Sequence, residues 1–74
     1  MTITAYESEI LQFLESHEGY HSPTEIGGIV GGRTSSGILR DSAWASPKCK
    51  RLVKKGYITR NLKGHYEFKT WEVD

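Results

Sequence analysis

Leu52-Val53-Lys54-Lys55-Gly56-Tyr57-Ile58-Thr59-Arg60 changes its period at the glycine, and that change decides the fold. Upstream of Gly56, Ala45, Cys49, Leu52 and Val53 recur at i, i+4, i+7 and i+8, the buried stripe of an amphipathic helix. Lys54 and Lys55 stand at the negative end of its dipole, and glycine is the residue that commonly ends such a helix. Downstream, Tyr57 to Arg60 is a β-rich run, Asn61-Leu62-Lys63-Gly64 a turn, and Tyr66 to Trp71 a second run, so a hairpin follows the helix. Two starts are open for the helix. Asp41 or Ser42 caps it with Pro47 inside its first turns, or Ser46 caps it with Pro47 at the first helical position.

Further upstream, Gly31 to Asp41 reads as a loop of Gly, Ser, Thr and Arg with Ile38 and Leu39 as an apolar anchor. Ser22-Pro23-Thr24-Glu25 is a capping box with proline at the first helical position, where its missing N–H costs nothing. The helix it opens has Ile26, Ile29 and Val30 as buried candidates. Gly27 and Gly28 weaken it, and Gly31 and Gly32 end it after about two turns. Tyr20 and His21 make a short extended segment. Before them, Thr4 and Glu7 have capping-box spacing, and Tyr6, Ile10, Phe13, Leu14 and His17 form the stripe of a first helix that stops at Gly19. The expected fold class is α+β: a three-helix bundle with a C-terminal β-hairpin, one domain over residues 1–74.

A chain of 74 residues buries about 60% of its unfolded surface, which leaves no room for a second domain beside a substrate cavity. Hydrophobic residues at 36% and charged residues at 26% place it among ordinary globular domains. No apolar run approaches the roughly 18 residues of a membrane span, and Met1 to Tyr6 lacks the basic and apolar regions of a signal peptide. One cysteine, Cys49, excludes an internal disulfide and suits a reducing compartment, so a cytoplasmic location is expected. Charge is distributed unevenly. Residues 1–32 hold five acids and no base, −5, while residues 33–74 hold ten bases and four acids, +6, which returns the net +1. Between Ser42 and Tyr66 lie seven bases and no acid, a patch suited to a polyanion.

The order helix, short strand, helix, helix, hairpin resembles the winged helix-turn-helix domain. Ser22-Pro23-Thr24-Glu25-Ile26 and Leu52 to Arg60 carry the resemblance, and the second block looks like the junction of recognition helix and wing in bacterial regulators of the MarR and ArsR kinds. The loop from Gly31 to Asp41 is longer than that class uses between its two motif helices. The resemblance implies a third helix in a DNA major groove and a hairpin, the wing, on the backbone or adjacent minor groove. If Ala45, Cys49, Leu52 and Val53 face inward, Pro47, Lys50, Arg51 and Lys54 face outward, with Trp44, Lys48 and Lys55 on the flanks. Arg51 suits guanine or phosphate, Lys48 and Lys50 reach bases or phosphates, and Lys54 and Lys55 meet phosphates. Ser46 near the helix start, Arg60, Lys63 and His65 on the hairpin, and Arg33 with Thr34, Ser35 and Ser36 in the loop complete the candidate DNA-binding set.

Plainer readings stand beside these. A lysine pair at a helix end often only complements the dipole. Cys49 reads as a small buried hydrophobe, and His21 as structural. His17, His21 and His65 are scattered over three elements, so no metal site is expected. Trp44 either stacks on a base or packs on Ile38 or Leu39, and Trp71 with Val73 closes the sheet or meets a second copy. Gly31-Gly32-Arg33-Thr34-Ser35 lacks the Lys and Ser/Thr of a phosphate-binding loop. No nucleophile and base converge, so neither an enzyme nor a cofactor is expected, and no small-molecule substrate is evident. The expected function is duplex DNA binding by a small transcriptional regulator or accessory factor, with a homodimer or further domain supplying specificity. The alternatives are a protein-interaction module that docks through Glu7, Glu9, Glu15 and Glu18, or an RNA-binding winged helix.

Overall fold

The computed structural model describes residues 3–69. Helix α1 covers Ala5–Ser16, α2 Pro23–Ile26, and α3 Ser42–Lys55, while strands β1, Ile58–Arg60, and β2, Tyr66–Phe68, form an antiparallel hairpin. The class is α+β, three helices followed by a two-stranded hairpin. Side-chain caps are local causes of both helices, but the reciprocal capping box forms only at Thr4, since the Glu25 carboxylate turns to His21 instead of the Ser22 N–H. At Thr4 the hydroxyl accepts the Glu7 N–H at 3.2 Å and the Glu7 carboxylate accepts the Thr4 N–H at 2.8 Å. At Ser22 the side chain accepts the Glu25 N–H at 3.1 Å, with Pro23 at the first helical position.

Helix α2 continues as a π-helical turn over Gly27–Gly31, so the glycines widen the helix before it ends. Val30 packs against the core, but Ile29 is exposed, contrary to the periodic reading, because the wider turn rotates it outward. Helix α3 starts at Asp41, whose carboxylate accepts the Ala43 N–H at 3.0 Å, and Pro47 lies inside the helix at an exposed position. It ends at Gly56, where φ of 87° favours a residue without Cβ. The core joins Ile10, Leu14, Ile26, Ala45, Cys49, Leu52, Ile58 and Tyr66, one or more from each helix and strand.

The Gly31 to Asp41 stretch is not a loop held by an apolar anchor. Ile38 and Leu39 are exposed, and the backbone itself closes the segment: Arg33 pairs with Leu39, the Thr34 N–H donates to the Ile38 carbonyl at 2.8 Å, and the Arg40 N–H to Gly32 at 2.8 Å. This small ribbon precedes α3 as the β1–β2 hairpin follows it. The hairpin turns tightly, with the Asn61 side chain accepting the Lys63 and His65 N–H groups at 3.0 and 2.9 Å. Tyr66 also exchanges two 2.8 Å backbone bonds with His21, so the short extended segment between α1 and α2 lies beside β2. The readings for Trp71 and Val73, and the end of the run that reaches Trp71, fall outside the described residues.

Candidate nucleic-acid interface

Helix α3 sets the geometry. With Ala45, Cys49 and Leu52 inward, its exposed side chains are Ala43, Pro47, Lys50, Arg51 and Lys54, while Trp44, Ser46, Lys48, Val53 and Lys55 are half-buried flanks. The outward arc thus carries three bases and no acid. Lys50 and Lys54 form no ion pair among the described residues. Arg51 does: its Nε donates to Glu7 Oε2 at 3.0 Å, and Lys55 Nζ lies 3.7 Å from Glu7 Oε1.

Glu7 is 1% exposed and takes the place on the inward stripe of α1 that the spacing gave to Tyr6 and His17, both of which are exposed. A buried carboxylate is costly unless it is paired. Here the Thr4 N–H hydrogen bond leads in holding its pKa down to about 2; burial opposes, and Arg51, the Thr4 hydroxyl and Lys55 add to the lowering. Glu7 is therefore no part of an acidic docking face, whereas Glu9, Glu15 and Glu18 remain exposed.

On the other end of α3, Trp44 neither stands free nor packs on the loop in the manner expected. It meets Tyr6 edge to face at 5.3 Å, and Lys48 Nζ sits 4.4 Å from its ring centre while donating to the Trp44 carbonyl at 3.2 Å. Arg40 lies 5.5 Å from both rings and donates to the Gly31 carbonyl at 2.7 Å. Arg40 and Tyr6 are not among the residues the sequence offers for DNA binding: the helical spacing assigns Tyr6 to the buried stripe of α1, and no spacing signal marks Arg40. Behind the helix, burial pushes the Cys49 thiol up to about 12, slightly offset by Lys48, which makes it an inert core residue.

The remaining candidates occupy separate elements. Arg33 is exposed and donates to the Gly37 carbonyl at 2.9 Å, tying the small ribbon. Lys63 is exposed at the hairpin turn beside the fully exposed Leu62, His65 is half-buried, and Arg60 is exposed, its charge opposing the rise that burial gives the pKa of Tyr66. Two histidines do meet across Gly19. The His17 and His21 ring centres are 6.3 Å apart, with Phe13 packed at 4.6 and 5.0 Å from them. His21 Nδ1 lies 3.0 Å from Glu25 Oε2 and its Nε2 3.1 Å from the His17 carbonyl. Burial alone would lower the His21 pKa; the Glu25 hydrogen bond, the carbonyls and the Glu25 charge outweigh it and raise it.

Among the described residues no group of three or more His, Cys, Asp or Glu side chains could hold a metal ion, and no helix is long and apolar enough to cross a membrane. Compared with known protein families, curated proteins and solved structures, the chain matches none.

Proposed function

We propose that the chain is a winged-helix nucleic-acid-binding domain, with α3 as its reading helix and the β1–β2 hairpin as its wing. Its ligand in this reading is duplex DNA, bound with α3 in the major groove and the hairpin on the backbone, and its role is that of a small transcriptional regulator or DNA-binding accessory factor. The observation that carries it is the exposed arc of α3, where Lys50, Arg51 and Lys54 stand among small residues. No acid occurs in the sequence between Asp41 and Glu67, and Glu7, which pairs with Arg51, is itself buried. Arg60, Lys63 and Arg33 extend the same sign onto the two ribbons that flank the helix in sequence.

Fluorescence anisotropy of a random duplex of about 20 base pairs, titrated at several salt concentrations, tests this. With about five phosphate contacts the log-log salt slope is near −4.5, and Lys50→Ala with Lys54→Ala reduces its magnitude by nearly two. No binding at low salt overturns the proposal, and preference for structured RNA of equal length redirects it. A second reading, a protein-interaction module, is favoured by one feature: Ile29, Ile38 and Leu39 are 59%, 67% and 51% exposed around the α2–α3 connection.

A further inference from the structure

We propose that Glu7 is a positioning residue, which aims Arg51 at the nucleic acid from a helix that lies behind the reading face. The inference rests on the DNA-binding reading and adds a mechanism to it. A guanidinium has five N–H groups in a rigid plane. In Arg51 the Nε edge is taken by Glu7 at 3.0 Å, and the terminal nitrogens have no partner among the described residues. The exposures follow the same division, 51% for the arginine side chain and 1% for the carboxylate. The inner edge of the plane is therefore fixed in the protein while the outer edge, the two-pronged fork that matches guanine O6 and N7 or a pair of phosphate oxygens, is presented to solvent.

The carboxylate is itself held in place. Its Oε1 accepts the Thr4 N–H at 2.8 Å and faces Lys55 at 3.7 Å, so the helix cap of α1 fixes the acceptor that orients α3's arginine. The arrangement has an electrostatic cost, because the one acid set against Arg51 and Lys55 offsets a unit of positive charge on this face. Lys50 and Lys54, by contrast, have no such support. Holding the fork beforehand reduces the ordering that binding demands of a long side chain.

Electrostatics and positioning predict opposite signs for Glu7→Gln. Removing a negative charge near a polyanion tightens binding; releasing the fork weakens it, by about three- to tenfold. We expect weakening, measured by anisotropy on duplex DNA at a temperature where circular dichroism shows the variant folded. In an Arg51→Ala background the same substitution should weaken nothing, and Glu7→Asp, which keeps the charge but is one carbon short of Arg51, should behave like Glu7→Gln. Tighter binding by Glu7→Gln, or an equal loss with and without Arg51, overturns the proposal. The Arg51 Nε–H resonance of the unmutated protein separates the two layers of argument: if it exchanges slowly while duplex binding is absent, the DNA reading has failed, whereas rapid exchange with intact DNA binding means the clamp has failed.

Discussion

Replacing Glu7 by glutamine also has a consequence for stability that depends on pH. The carboxylate moves from its ordinary 4.5 to about 2 on folding, and at about 1.4 kcal/mol per pH unit that is worth at most about 3 kcal/mol at neutral pH. Arg51 is half exposed, so solvent screens that part of the interaction, and about 2 kcal/mol is the expected figure. A domain of this length has roughly 4 to 11 kcal/mol in all. Because the folded pKa is depressed, the unfolded chain binds the proton first. The contribution is complete above about pH 5 and disappears as the pH falls through about 2. Urea unfolding followed by circular dichroism, at intervals from pH 7 to pH 2, should show Glu7→Gln less stable at neutral pH and the two proteins converging in acid. Parallel curves would refute the assignment of a strongly held carboxylate.

Three further outcomes are expected. A Cβ at Gly27 would collide with the Asp41 backbone, so Gly27→Ala should lower stability by about 1 to 3 kcal/mol in thermal melts, whereas Gly28→Ala, whose nearest neighbour is Leu39 Cδ2 at 3.8 Å, should cost far less. His21 has a raised folded pKa, so its contribution is full below its unfolded value of 6.5 and is lost as the pH rises through the folded one; His21→Gln should therefore destabilise more at about pH 5.5 than at about pH 8.5. Cys49, fully buried with its thiol pushed up to about 12, should be alkylated by iodoacetamide at a rate that tracks unfolding, and labelling of the native protein faster than unfolding would contradict its burial.

What the sequence disclosed was mostly local. Thr4 with Glu7, Ser22 with Pro23, the stripe Ala45, Cys49 and Leu52, and the stop at Gly56 each announce themselves within one or two helical turns, and all stand where the spacing puts them. The outward arc of Lys50, Arg51 and Lys54 follows from that stripe. What escaped depends on distant partners. Glu7 joins the inward stripe of α1 because the Thr4 N–H and Arg51, 44 positions away, together hold its charge, and no periodicity rule admits a carboxylate there. The start of α3 is open in the sequence among Asp41, Ser42 and Ser46, and it is the Asp41 carboxylate, accepting the Ala43 N–H, that caps the helix. The ribbon from Gly32 to Arg40 rests on one bridging pair, too short for alternation to register, and on an arginine lying against two rings from α1 and α3.

The pairing of Tyr66 with His21 bears on how the molecule assembles. Strands of three residues form at best a marginal ribbon alone, and the bonds to His21 attach that ribbon to the junction between the first two helices. This contact joins segments far apart in the chain, so its closure entropy is met before its bonds form. The orientation of the hairpin relative to α3 is therefore tied to the junction of the first two helices as well as to the end of α3 itself.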